Sequence, residues 1–124
     1  MDVTLTGREL EIITILWQLE SGTVAEIRER LPDDLAYTTV LSLIRTMEEK
    51  KLVRHEAEGR AHRYFPLVQE RAVRRSALRQ LVETVFQGAP ELLLTQLVSD
   101  RRLREADLRR IRQLIDERLP GGDR

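Results

Sequence analysis

Residues 36–66 read AYTTVLSLIRTMEEKKLVRHEAEGRAHRYFP, and this stretch holds two different periods. Over 36–50 the apolar residues Val40, Leu41, Ile44 and Met47 recur at the spacing of a helix with one apolar side. Thr38, Ser42 and Arg45, four and then three apart, share the opposite side. From Leu52 the period shortens. Residues 52–57 and 61–66 are two short β-type runs around Glu58-Gly59-Arg60, and a glycine-containing turn between such runs predicts a hairpin that Pro66 closes.

Two further helices precede this stretch. Thr6-Gly7-Arg8-Glu9 has the form of a capping box, with Leu5 and Leu10 at the stapling positions. Leu10, Ile13, Leu16 and Trp17 continue at helical spacing, and Ser21-Gly22 ends the helix. Thr23-Val24-Ala25-Glu26 is a second capping box. Its short helix turns Ile27 and Leu31 inward, and Pro32-Asp33-Asp34 stops it. Three helices within 45 residues, the last two joined by a tight turn, predict a helix-turn-helix. A basic-tipped hairpin behind it makes the plan a winged helix. Residues 1–68 are assigned to this head.

Residues 69–124 are expected to be helical. The first helix runs over 69–87 with Val73, Ala77, Leu81, Val82 and Val85 on its apolar side. Gly88 suits a C-terminal cap and Pro90 a first helical position. Residues 91–99 form a short, very apolar helix. Leu103 and Leu108 staple a last one, with Ile111, Leu114, Ile115 and Leu119 inward and Pro120-Gly121-Gly122 as its stop. Three such helices rarely close a core alone, and Leu92-Leu93-Leu94 places apolar groups on more than one face. Either they fold back on the head or they wrap a second copy into a two-fold dimer. The dimer is the expectation, through Leu81, Val85, Leu92, Leu93, Leu94, Leu97, Leu108, Ile111 and Ile115. The fold class is therefore mainly α: an N-terminal winged helix-turn-helix with a small β hairpin, then a helical dimerisation region.

Composition agrees. The chain has 124 residues, near the usual size of one domain. Charged residues make up 34% and aromatics 4%, which favours solvated helices over a β sandwich. No apolar run approaches the roughly 20 residues of a membrane span, and Met1-Asp2-Val3-Thr4 lacks the marks of a secretion signal. A cytoplasmic location is expected. Cysteine is absent, which removes disulfides, thiolate metal sites and cysteine nucleophiles. Basic and acidic residues balance at 21 each. Phosphate binding depends on local charge, however, and basic residues exceed acidic ones over 37–63.

A DNA-binding reading assigns roles by position. The 36–50 helix enters the major groove, where Tyr37, Thr38, Thr39, Ser42 and Arg45 can reach base edges or phosphates; arginine can grip guanine with two bonds. Lys50 and Lys51 suit the phosphate backbone. Arg60 at the wing tip and Arg63 suit phosphate or the minor groove, and Tyr64 can donate to a phosphate or pack. His55 and His62 lack definite third and fourth ligands, though Glu56 and Glu58 are near; no metal or cofactor is expected. There is no Walker loop, HExxH helix or GxSxG elbow, so the chain is not expected to be an enzyme.

The run Ala36-Tyr37-Thr38-Thr39-Val40, then Arg45, Lys50-Lys51-Leu52-Val53, Glu58-Gly59-Arg60 and Tyr64-Phe65-Pro66 resembles the penicillinase-repressor (BlaI/MecI) family. Leu5-Thr6, Glu9-Leu10-Glu11 and Leu16-Trp17 match it too, so the resemblance runs from about Leu5 to Leu119. It implies a homodimeric repressor that occupies a palindromic operator of TACA/TGTA-like half-sites. In the best-known branch a membrane sensor metalloprotease detects β-lactam and cleaves the repressor in its dimerisation region. The equivalent of the Asn-Phe bond cut there is Gln96-Leu97. A sister branch regulates copper export through C-terminal cysteines, which this chain lacks. Two other departures are Lys51, where many members have glycine, and Arg104, where the last helix usually opens with serine. Two rival readings remain: a winged-helix protein–protein module, and a small-molecule-responsive repressor with a pocket between head and tail.

Overall fold

The computed structural model describes residues 5–100 and 102–119. The Met1–Thr4 opening and the Pro120-Gly121-Gly122 stop lie outside the described residues. The chain divides into two units, residues 1–79 and 80–124.

In the first unit both capping boxes form as the sequence predicts. Helix α1 (Gly7–Leu19) starts at Thr6, whose hydroxyl accepts from the Glu9 N–H while the Glu9 carboxylate accepts from the Thr6 N–H. Helix α2 (Val24–Arg30) starts in the same way at Thr23 with Glu26. Each box satisfies two of the N–H groups that a helix start leaves unpaired. Between α2 and α3 (Tyr37–Glu49), the paired acids of the turn meet arginines at the surface: Asp33 pairs with Arg8, and Asp34 with Arg28. Arg28 also donates to the Leu35 carbonyl.

The hairpin pairs β2 (Val53–Glu58) with β3 (Ala61–Pro66) in antiparallel register, His55 opposite Tyr64 and Glu58 opposite Ala61. Gly59 has φ +61° while Arg60 stays at negative φ, the pattern of a two-residue hairpin turn that needs glycine first. A third strand was not foreseen. Gly22, expected to end α1, and Thr23, expected to cap α2, form β1 and pair with Tyr64 and Arg63, so the sheet order is β1-β3-β2. Two residues offer no alternation to read. Ile12, Ile13, Leu16, Ile27, Val40, Ile44, Met47 and Tyr64 fill the space between the three helices and the sheet. The Trp17 ring N–H donates to the Val68 carbonyl, which ties the segment after the wing to α1.

Helix α3 ends in a Schellman turn. Leu52 N–H returns to the Met47 carbonyl at 2.9 Å and Lys51 N–H to that of Glu48 at 3.0 Å, with Met47 and Leu52 both buried beside it. Lys51 carries the left-handed residue of this turn, with φ +65°. A side chain there costs about 1 kcal/mol relative to glycine. Lys51→Gly is therefore expected to stabilise the protein by about 1 kcal/mol, read as a raised Tm in thermal denaturation. A lowered Tm would show that the lysine side chain contributes more than its backbone costs.

Helix α4 (Glu70–Thr84) starts in the first unit, where Val73 is buried, and ends three residues short of the expected Gln87. Gln87 and Gly88 both turn to positive φ, and the Gly88 N–H caps the Val82 carbonyl. In the second unit, α5 (Pro90–Ser99) opens on Pro90 as expected. Helix α6 (Glu105–Arg118) opens at Arg104, whose N–H is held by the Asp107 carboxylate at 2.9 Å. An arginine side chain has no acceptor, so the reciprocal bond of a serine cap is missing. From residue 80 onward no described residue is buried.

Candidate nucleic-acid interface

Helix α3 has two sides of opposite character. Val40, Ile44 and Met47 are 0% exposed. Tyr37, Thr38, Thr39, Ser42 and Arg45 are all exposed, and the helix brings them onto the outer side. Ala36 caps α3 without a side-chain hydrogen bond, and its first turn carries no acid. Glu48 and Glu49 stand at the far end. The outer side of α3 from its N-terminus as far as Arg45 is therefore the part a polyanion can approach, and recognition helices meet base edges from that end.

The ten residues expected to meet DNA separate into three groups. Tyr37, Thr38, Thr39, Ser42 and Arg45 are free on α3. Lys51 and Arg60 are exposed, and among the described residues neither their side chains nor that of Arg45 has a hydrogen-bond or ion-pair partner. Lys50, Arg63 and Tyr64 are engaged within the protein.

Lys50 Nζ lies 2.8 Å from Glu9 Oε2, and Glu9 is 3% exposed. Burial pushes the Glu9 carboxyl upward, but the hydrogen bonds from Lys50 and Thr6 outweigh it and hold the group below its ordinary range. Arg63 reaches Glu58 Oε1 at 2.8 Å, Glu26 Oε1 at 3.2 Å and the Ser21 hydroxyl at 3.2 Å. Glu58 and then Glu26 hold its guanidinium even more firmly charged than usual, and it holds Glu58 below the carboxylate range in return. Arg63 thereby joins the wing to the start of α2. Tyr64 is 1% exposed and packs in the core; burial raises its phenol, and the nearby Glu48 charge adds to that. The packing alternative open to Tyr64 is the one realised.

The histidines meet each other. Their rings stack at 4.2 Å between centroids, and His55 Nδ1 lies 2.6 Å from Glu48 Oε2. Glu56 is drawn away to Arg54, which also stacks over Phe65 at 4.3 Å. Among the described residues no group of three or more His, Asp or Glu side chains converges as metal ligands would. Thr46 escaped the sequence reading. It is exposed, and its hydroxyl turns back to the Ser42 carbonyl at 3.1 Å. Carrying the four-residue spacing on from Ser42 would have found it.

A helix with one buried side, one free polar side and a basic hairpin tip has the form of a DNA-reading head. Comparison with known proteins gives it a lineage: the penicillinase repressor family matches residues 5–117. The chain belongs to that family. Members of this penicillinase repressor family are regulators of transcription and not enzymes. The transcriptional regulator BlaI of Mycobacterium tuberculosis (strain ATCC 25618 / H37Rv) is 39% identical over 62 residues, which cover 48% of this chain and 45% of that protein. The chain thus spans under half the length of that relative. The methicillin resistance regulatory protein MecI of Staphylococcus aureus (strain N315) is 18% identical over 116 residues, covering 92% of this chain and 94% of MecI. A solved CopR repressor structure aligns with a TM-score of 0.45 at 28% identity, covering 54% of this chain and all of that one. Among the described residues of this repressor-family chain, no helix is long and apolar enough to cross a membrane.

Proposed function

We propose that this chain is a sequence-specific DNA-binding transcriptional repressor that acts as a homodimer on a palindromic operator. Residues 1–68 read the DNA and residues 69–124 join the two copies. The observation that carries this is the free outer side of α3: Arg45 with Thr38, Thr39 and Ser42 beside it, on a helix whose other side is wholly buried. Arg45 reads a base edge, the Tyr37, Thr38, Thr39 and Ser42 groups contact bases or phosphate, and Lys51 and Arg60 contact the backbone. Two such helices about one helical turn apart match a two-fold operator. Such a partner places the protein in the cytoplasm.

The tail supports the dimer. Leu81, Val85, Leu92, Leu94, Leu97 and Ile115 are exposed, and Leu93, Leu108 and Ile111 are only half-buried. Exposed leucines in this number mark an interface, because soluble monomers seldom leave such patches open. Release runs through the same region: a membrane sensor metalloprotease, responding to a cell-wall antibiotic or another envelope signal, cuts near Gln96–Leu97. Both residues lie in α5, a helix with no residue buried within one chain, and Leu97 is also a proposed dimer contact, so a cut there removes part of what joins the copies.

Arg45→Ala tests the assignment. It is expected to weaken binding to the duplex from upstream of the protein's own gene by about 1–3 kcal/mol while sparing weak binding to a scrambled duplex. Gel-shift titration of both duplexes reads this, and an unchanged affinity for the native duplex would remove Arg45 from the readout.

A further inference from the structure

Lys50 is the residue the fold reassigns most sharply. Its ammonium sits at the C-terminal end of α3, and the carboxylate it meets belongs to the first turn of α1, 41 residues earlier. Each charge therefore lies at the helix end whose dipole favours it. Glu9 is the one charged side chain that is buried among the described residues. Both of its oxygens are used, Oε1 by the Thr6 N–H at 2.9 Å and Oε2 by Lys50 at 2.8 Å. The capping box fixes the carboxylate rigidly to α1. The Schellman turn fixes the backbone from which Lys50 reaches it. Other ion pairs that join elements of this unit, among them Arg8–Asp33, Arg28–Asp34 and Arg63–Glu26, use carboxylates far more open to solvent than Glu9, and such pairs contribute little.

We propose that Glu9 and Lys50 are positioning residues that set how far the recognition helix projects from α1, and that Lys50 is not a phosphate ligand. The proposal rests on the DNA-binding reading above. Base readout depends on where Arg45 and Thr38 lie along α3, whereas phosphate attraction tolerates small displacements. Loss of the pair is therefore expected to damage specificity before it damages general affinity.

Two properties separate positioning from contact. Removing a phosphate ligand lowers the slope of log K against log salt by about 0.9. Removing a positioning pair leaves that slope unchanged and lowers the ratio of specific to non-specific affinity. The test uses the full chain, the upstream duplex and a scrambled duplex, each titrated over a range of salt below the melting transition of each variant. Glu9→Gln and Lys50→Met are each expected to keep the wild-type slope and to cut the affinity ratio about fivefold or more, the scale of a coupling between separate sites. Glu9→Gln is the sharper arm, because Glu9 is buried and its loss sets a lysine ammonium free. If Lys50→Met unfolds, the E9Q/K50M double variant carries the same test, since it leaves no unpaired buried charge. A slope reduced by about one in Lys50→Met, or in the double variant, relative to wild type would overturn the proposal, as would a ratio that Glu9→Gln leaves unchanged or raises. Wild type that fails to tell the two duplexes apart would overturn the DNA reading itself, and the positioning role with it.

Discussion

Ile44→Ala is expected to destabilise the first unit by about 2–5 kcal/mol. Ile44 is wholly buried on the inner side of α3, among residues from α1, α2 and the sheet. Truncation removes three methyl or methylene carbons from water-free packing and leaves a cavity that rigid neighbours fill poorly. A loss of that size is a large part of the whole stability of a small domain. Urea denaturation measures it as a lower midpoint at an unchanged slope. Arg45→Ala, one residue along and exposed, is the control and is expected to shift stability by no more than about 0.5 kcal/mol. Equal effects at the two positions would contradict the assignment of buried and free sides on which the interface depends.

Leu94→Arg is expected to break the proposed dimer. Leu94 is exposed in a helix with no buried residue, so within one chain the change should leave the fold intact. In a dimer it places two charges in an apolar contact without partners. Sedimentation equilibrium should then give the mass of one chain. Operator affinity should fall about 100-fold or more, because binding to the second half-site no longer follows from binding to the first. A variant that stays dimeric with full affinity would move the dimer contact away from α5.

The head was largely legible because its signals are local. Thr6 with Glu9 and Thr23 with Glu26 announce two helix starts, and both boxes form. Gly59 announces the hairpin turn, and its φ is positive. The long-range partners were not legible. Lys50 and Arg63 look like surface cations in the sequence, and only the fold brings Glu9 to one and Glu26 and Glu58 to the other. Tyr64 is set in the core by its register opposite His55, with Gly22 on its other flank. Strand β1 is two residues long and exists only because β3 lies beside it. The tail shows the reverse. Its leucines read plainly as apolar faces, yet from residue 80 onward no described residue is buried, so the burial those faces predict is not met within one chain.

Most direct of all is fluorescence anisotropy on a labelled duplex from upstream of the protein's own gene, beside a scrambled duplex, at two salt concentrations. The expected result is binding to the native duplex about 1,000-fold tighter than to the scrambled one, with both affinities falling steeply as salt rises. Equal, weak and salt-insensitive binding to both would contradict a DNA-reading head and leave the outer side of α3 to a protein partner.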